Sequence, residues 1–235
     1  MVFSIPKIIE YYSKSIPYLL VTIEYVLISF VLSMILGGIT ARLKMSKRKV
    51  FRWLANAYLT VMRCVPPVVL LFIVYFMIPA FLLDVFGIQT RNIPIMIDVV
   101  FTFSLMNGAL CAEAIRSAYE SISKGQMEAA LASGLTPVQG IRYVVFPQML
   151  KESLPNLCNI LISLLKEGSI AYTIGFIDIF GRVMSVGGKD GGVYVLCSYI
   201  VLTIIYWPIT VCIEKLTALA EKRLSFGRED EGVKA

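Results

Sequence analysis

The sequence predicts an all-α integral membrane protein that folds as one bundle of five membrane-spanning helices. Of its 235 residues, 57% are hydrophobic and only 16% are charged, which is too apolar for a soluble domain of this size. Five stretches are long enough to cross a bilayer as helices, at about residues 18–41, 57–83, 92–118, 153–177 and 193–213. Because every backbone amide in hydrocarbon needs an internal partner, we expect helices throughout.

No internal repeat or linker divides the chain into further domains. We predict an interfacial segment at residues 1–17, a single transmembrane domain at 18–213 and a tail at 214–235. The first apolar stretch is too long for a signal-peptide core, so we expect it to be retained. Ahead of it, four apolar residues share one helical face, which suggests a short helix along the membrane surface: Ile5, Ile8, Ile9 and Tyr12. A disordered tail is the alternative.

The basic residues predict that the N-terminus lies outside the cell and the C-terminus inside. Fourteen of them fall on the predicted inner side: Arg42, Lys44, Lys47, Arg48, Lys49, Arg52, Lys124, Arg142, Lys151, Lys215, Lys222, Arg223, Arg228 and Lys234. Five fall on the outer side: Lys7, Lys14, Arg91, Arg182 and Lys189. This topology accounts for the net charge of +6 without a nucleic-acid partner.

A polar segment at residues 121–150 predicts two short helices on the cytoplasmic side, between spans three and four. Two residue pairs have the spacing of a capping box: Ser123 with Gln126, and Thr136 with Gln139. Pro137 suits the first helical position, and Gly134 suits a left-handed residue that ends the first helix. We expect Glu128, Ala129, Ala130 and Leu131 to lie on a small-residue surface for a partner protein. An ordinary helical hairpin is the alternative.

Charged residues inside the predicted spans need a reason, because burying a charge in hydrocarbon is costly. Glu24, Asp98 and Arg116 lie within about two turns of a span end, so structural and functional roles both stay open for them. Arg63 lies beside two prolines that disturb the helix, and its guanidinium suits a carboxylate. Glu113 suits an ammonium group.

Residues 166–169 interrupt an apolar span with adjacent opposite charges, a glycine and a hydroxyl, which suggests that the helix opens there around a solute. The candidates for a polar path are Arg63, Asn107, Glu113, Lys166, Glu167 and Ser169. The alternative is that these groups simply pair with one another inside the bundle.

Catalytic chemistry has little support in this composition. The chain has no histidine, so the usual proton shuttle and the commonest metal ligand are both missing, and we expect no metal site and no catalytic residue. Five cysteines fall inside predicted spans without C-x-x-C spacing, and we interpret all five as small buried apolar side chains. The glycine-rich run at residues 186–192 lacks the spacing of a phosphate-binding loop, and we interpret it as a hinge.

Taken together and in order, these residues resemble the permease subunits of ABC importers for polar amino acids, over about residues 18–223. The most specific match is Glu128-Ala129-Ala130, with Gly134 and Pro147, to the Glu-Ala-Ala coupling loop of that family. Shorter matches lie at residues 21–24, 63–66, 112–116 and 166–169. The chain departs from the family pattern at four positions, which leaves the identity of the amino acid open: Cys64, Val65, Glu167 and Gly168.

The resemblance implies a multi-pass protein of a prokaryotic cytoplasmic membrane that translocates a polar amino acid by alternating access. It implies a second permease subunit, identical or homologous, an extracytoplasmic amino-acid-binding protein, and two ABC ATPase subunits that hold ATP and Mg, with no cofactor in this chain. Carried onto this sequence, the coupling loop that contacts the ATPase comprises Glu128, Ala129, Ala130, Gly134 and Pro147.

Two other functions would fit parts of the pattern. A membrane anchor or sensing subunit that recruits a cytoplasmic partner explains the hairpin but not the charges inside the spans. An intramembrane enzyme is disfavoured, because the polar residues offer no evident nucleophile with a positioned base.

Overall fold

A computed structural model of the protein describes residues 2–89 and 93–225, and over these residues the chain is a bundle of helices without strands. Five helical segments are long and apolar enough to cross a membrane: Ile5–Lys44, Pro67–Phe86, Ile95–Ser121, Pro137–Ile174 and Val195–Arg223. The predicted fold class is therefore confirmed. Arg91, Arg228 and Lys234, which enter the orientation argument, lie outside the described residues.

The α-helices are α1 Ile5–Ser15, α2 Leu19–Lys44, α3 Lys49–Cys64, α4 Pro67–Phe72, α5 Ile78–Phe86, α6 Ile95–Ser121, α7 Lys124–Ala132, α8 Pro137–Gly140, α9 Phe146–Ala171, α10 Ile179–Gly188 and α11 Val195–Ser225. Two π-helical segments, Ile73–Met77 and Ile141–Val145, join α4 to α5 and α8 to α9. We call the end of the bundle that carries α7 and α8 the hairpin end. The helices α1 and α10 lie in contact at the opposite end.

The most extensive helix pair is α2 with α6, and small residues allow it. A Cβ atom added at Gly37 of α2 would lie 2.5 Å from the Cβ atom of Cys111 on α6. The hydroxyl of Ser33 donates to the carbonyl of Ser104 at 3.3 Å, which ties the two helices together inside the bundle. The close contact therefore depends on the missing side chain at Gly37.

The second span differs from the prediction of one continuous helix over residues 57–83. Helix α3 ends at Cys64, and α4 begins at Pro67. Two successive prolines lack backbone donors and restrict the preceding residue to extended conformations, so the helix ends before them. Arg63 and Cys64 therefore lie on α3, ahead of the span rather than inside it.

The expected opening of the fourth span at residues 166–169 is wrong. Helix α9 continues without a break to Ala171, and a 3₁₀ segment, Tyr172–Ile174, follows it up to Gly175, whose φ of 86° is left-handed. An atom added at Gly168 would collide with the carboxylate of buried Asp178, which caps α10 by accepting a hydrogen bond from the Gly181 N–H at 2.9 Å. Gly168 therefore serves close packing between α9 and the start of α10.

The N-terminal helix forms as predicted, which excludes the disordered alternative for residues 5–15. It packs against α10 and α11 through buried Tyr11. Three residues of the predicted apolar face are exposed: Ile5, Ile9 and Tyr12. The Tyr11 hydroxyl donates to Asp190 at 2.5 Å, and the Lys7 ammonium lies 2.9 Å from the same carboxylate oxygen.

The hydrogen bond from Tyr11 and the charge of Lys7 lower the pKa of Asp190 below its ordinary value. Asp190 pairs with Tyr11 and Lys7 in its charged form. The contact between α1 and Asp190 is therefore present above the usual aspartate pKa of about 4, and it is lost as acid protonates Asp190. Gly191 and Gly192 follow with φ angles of 62° and 75°, so the run interpreted as a hinge adopts left-handed turns.

Three of the five cysteines are buried as small apolar side chains, namely Cys111, Cys158 and Cys197. The prediction is wrong for Cys64 and Cys212, which are exposed. In the tail, α11 continues to Ser225, and residues 226–235 lie outside the described part of the chain.

We predict that Gly37→Ala destabilises the protein by about 1–3 kcal/mol, because the added methyl group forces α2 away from α6. Gly38→Ala is the matched control, since no heavy atom lies within 4 Å of a Cβ atom at Gly38. The measurement is the thermal unfolding midpoint of the full chain in detergent. Equal midpoints for the two variants would contradict the packing argument.

Candidate functional site

A cluster of charged side chains joins three helices near the hairpin end. The Glu113 carboxylate of α6 lies 2.5 Å from the Lys44 ammonium of α2 and 2.9 Å from Nε of Arg116. Nη2 of Arg63, on α3, lies 4.0 Å from the same carboxylate. For Glu113 the structure therefore shows the alternative in which charged groups pair with one another. Sequence reasoning missed Lys44 because it counted that residue only as a marker of orientation.

A polar pocket of about 510 Å³ opens beside this cluster, between α3, α6 and α9. Its charged wall comprises Arg63, Glu113 and Arg116, and its opposite wall comprises Asn156, Asn159 and Ser163. The Arg63 side chain is 51% exposed, so its guanidinium can reach a ligand in the pocket while Glu113 is held by the other two cations. The pocket thus offers an accessible cation faced by uncharged hydrogen-bonding groups.

Asn107 and Glu167, two predicted path residues, meet inside the bundle and join α6 to α9. The Asn107 amide donates to Glu167 Oε2 at 2.9 Å and to the Phe103 carbonyl at 3.0 Å. The amide oxygen of Asn107 is buried and accepts no hydrogen bond from the described residues. Asn107 and Glu113 are six residues apart on one helix, so the polar groups form two layers separated by about 9 Å along α6.

A polar stripe follows the exposed face of α9, and its first three members also line the pocket beside the Glu113 cluster. Its exposed members are Asn156, Asn159, Ser163, Lys166 and Thr173. The first four lie on α9, where spacings of three and four residues place them on one side of the helix, and Thr173 follows in the short 3₁₀ segment Tyr172–Ile174. The stripe extends over about 26 Å. Sequence reasoning found only Lys166, although this spacing was visible in the sequence.

The last predicted path residue, Ser169, lies next to the stripe. Its hydroxyl donates to the Lys166 carbonyl at 2.9 Å, within its own helix. Lys166 is exposed, whereas the neighbouring Glu167 points to Asn107. The adjacent charges therefore face different surroundings.

The polar segment forms the predicted hairpin, with one capping box instead of two. Thr136 and Gln139 form the predicted box, and Gly134 has a left-handed φ of 85°. The box expected at Ser123 does not form, since no side-chain hydrogen bond caps α7 there. The Gln126 side chain accepts instead from Gln148 at 3.3 Å, which links α7 to the start of α9.

The residues expected on the hairpin surface are only partly there. Glu128, Ala129, Gly134 and Pro147 are exposed, but Ala130 is buried, which corrects its assignment to the surface. Ala130 packs beside Gly140, where an added Cβ atom would lie 3.5 Å from that of Ala130. Its small side chain therefore lets α7 approach α8.

Large apolar side chains are also exposed on the hairpin, and the sequence did not predict most of them. The patch comprises Leu131, Val138, Ile141 and Tyr143, and Val138 is 74% exposed. Exposed apolar patches of this kind mark surfaces that bind other proteins. No group of three or more histidine, cysteine, aspartate or glutamate residues that could hold a metal ion occurs in the described part of the chain.

Comparison with known proteins decides what kind of membrane protein has this geometry. Residues 31–226 match the family described as the binding-protein-dependent transport system inner membrane component. The chain belongs to this family. The predicted resemblance to ABC importer permeases is therefore confirmed, and so is the prediction of a transport subunit instead of an enzyme.

Relatives in bacteria support this assignment. The chain is 36% identical to the L-cystine transport system permease protein TcyL of Bacillus subtilis over 207 residues, which cover 88% of this chain and 85% of TcyL. It is 32% identical to the glutamate/aspartate import permease protein GltK of Escherichia coli over 181 residues, 75% of this chain and 81% of GltK.

Solved structures show the same fold. A crystal structure of an amino acid ABC transporter with histidines aligns with a TM-score of 0.79 and 30% identity, covering 95% of this chain and all of the other. The MetNI methionine ABC transporter aligns with a TM-score of 0.68 at 18% identity, which supports the fold alone.

We predict that Glu113→Gln destabilises the protein by about 1–2 kcal/mol, because it leaves three cations around an uncharged amide. Glu120→Gln is the control, since the more exposed Glu120 side chain pairs only with Arg116 in the described structure. The measurement is the unfolding midpoint in detergent at neutral pH. A larger loss in Glu120→Gln would show that Glu113 is not the centre of this cluster.

Proposed function

We propose that this permease subunit carries a polar amino acid across the cytoplasmic membrane of a prokaryote, along the exposed face of α9. The observation that carries this proposal is the polar stripe on that face, from Asn156 to Thr173. Exposed amides and an ammonium group in a membrane-spanning helix are costly in contact with lipid. A second permease subunit, identical or homologous, that covers this face would enclose a water-filled path between the two chains.

The hairpin is proposed to face the cytoplasm and to bind an ABC ATPase subunit, two of which hold ATP and Mg in the complex. The distribution of basic residues supports this orientation. Exposed Glu128, Ala129 and Gly134 offer polar contacts and close backbone approach, and the apolar patch around Val138 offers area to bury. Ala130 contributes by shaping the hairpin instead of touching the partner.

Movement of the hairpin can reach the proposed path through α6 and α9. The hairpin lies between α6 and α9, and both of these helices line the polar pocket. A displacement caused by ATPase closure therefore changes the separation of the two pocket walls and lets the spans alternate between inward-open and outward-open arrangements. The Gln126–Gln148 hydrogen bond and the Thr136 capping box resist deformation of the hairpin itself.

The charges along the path suit an amino acid that has both a carboxylate and an ammonium group. Arg63 and Lys166 are proposed to favour the carboxylate, since both are exposed toward the proposed path. Glu167 and Glu113 are proposed to favour the ammonium group, although at Glu113 it competes with Lys44 and Arg116. The relatives TcyL and GltK are named for L-cystine and for glutamate and aspartate, which all have these two groups.

We predict that a cysteine at Ser163 reacts with a water-soluble methanethiosulfonate at least about tenfold faster than a cysteine at Val31, because the reactive thiolate forms in water and not in hydrocarbon. Val31 is the control, since it is an exposed residue of α2 outside the stripe. Both variants are made with Cys64 and Cys212 replaced by serine, and modification is followed by mass spectrometry. Equal rates would contradict a water-filled path along α9.

We also predict that Glu128→Lys lowers the affinity of the permease for its ATPase about tenfold, because it reverses a charge on the docking surface. Co-purification of the ATPase with the tagged permease measures this change. Asp84→Lys makes the same change at the opposite end of the bundle and is expected to leave the ATPase bound. Undiminished co-purification of the Glu128 variant would refute the docking assignment.

A further inference from the structure

A second pocket, of about 610 Å³, opens at the end opposite the hairpin, between α5 and the start of α6. Tyr75 and Phe76 line it from the π-helical segment, and Asp98 lines it from the first turn of α6. Gln89 adds an amide, and apolar residues of α5 complete the wall. None of the path residues considered above lies in this pocket.

Two aromatic rings of the π-helical segment reach this pocket. Segments of this kind occur mostly as short insertions, often at functional sites. Here the segment Ile73–Met77 places two successive side chains, Tyr75 and Phe76, on the pocket wall. Their ring centres are 4.7 Å apart at an interplanar angle of 79°, so each ring supports the orientation of the other.

We propose that this pocket binds a primary ammonium group, with the Asp98 carboxylate as its counter-charge and Tyr75 and Phe76 as its aromatic contacts. Ring faces attract cations, and a carboxylate adds charge attraction at the same place. An anionic ligand would meet repulsion from Asp98. An apolar ligand would remove water from the carboxylate without replacing its interactions.

The position of the pocket makes it an outer station for the transported amino acid, a conclusion that depends on the proposed function. Asp98 and Arg116 are 18 residues apart on α6, which is about five complete turns, so they lie on the same side of the helix. Arg116 lines the pocket near the hairpin. An amino acid that enters from outside thus meets an ammonium site first and the accessible cation Arg63 later.

The test measures protection of a cysteine in the pocket, in right-side-out membrane vesicles that contain the full chain. Ala80→Cys is the reporter, in a background with Cys64 and Cys212 replaced by serine, and Leu83→Cys is a second reporter in the same pocket. A membrane-impermeant maleimide is the label. The probe is ethylammonium chloride, compared with ethanol and with sodium chloride at equal ionic strength.

Ethylammonium is expected to slow labelling of both reporters, and ethanol and sodium chloride are not. Asp98→Asn is expected to raise the concentration that gives half protection about tenfold, because it removes the counter-charge. Tyr75→Leu keeps the Asp98 charge and is expected to raise the half-protection concentration several-fold. Asp84→Asn is the matched control, since it removes an outer carboxylate that does not line the pocket. Its protection is expected to equal that of the parent.

Failure of ethylammonium to protect either reporter overturns the proposal, as does undiminished protection in Asp98→Asn. An ammonium group can also come from a lipid headgroup, so the chain is reconstituted in phosphatidylcholine with and without phosphatidylethanolamine. Slower labelling with phosphatidylethanolamine, in the absence of probe, would assign the pocket to lipid and overturn the outer station. The labelling assay does not require transport. Failure of the assembled importer to take up any amino acid would therefore contradict the proposed function but would leave the ammonium site standing.

Discussion

The close contact between α2 and α6 is the constraint on which the polar features of the bundle depend. Gly37 of α2 packs against Cys111 of α6, and Gly108 of α6 packs against Leu36 of α2, at distances that leave no room for a larger side chain. Direct contact therefore sets the close distance between the two helix axes. This contact places Lys44 at the end of α2 beside Glu113 on α6. It also turns Asn107 toward α9, where it meets Glu167. Both polar layers are therefore positioned by packing between small residues.

Helix α9 combines two roles that a helix in a closed bundle would not need. Its inner side packs through buried Leu164, Leu165 and Gly168, while its outer side presents the polar stripe. Lys166 and Glu167 are adjacent, so they point about 100° apart and face these two environments separately. Among the described residues, α3 and α6 border the stripe at the pocket beside Asn156, Asn159 and Ser163, and no helix covers it. The exposed stripe supports the proposal that the path forms between two permease subunits.

The sequence predicted the features that local chemistry determines. Five apolar spans, the Thr136 capping box and the left-handed Gly134 each follow from short-range rules, and all are present. The features that it missed depend on contacts between distant segments. Gln126 binds Gln148 instead of closing a second box, and Ala130 is buried by α8. The spacing of residues along the chain does not predict these contacts.

The location of the Glu113 cluster explains how one displacement can act on several helices. One carboxylate holds cations from α2 and α6 and lies near a third from α3, so none of these helices can shift at that level without changing its charge contacts. The same residue lines the pocket whose walls belong to the two helices that flank the hairpin. Widening that pocket therefore has an electrostatic cost that depends on the position of Arg63. An incoming carboxylate at Arg63 would reduce that cost, because it replaces the attraction that Arg63 loses from Glu113. Substrate and hairpin would in this way act on the same cluster from its two sides.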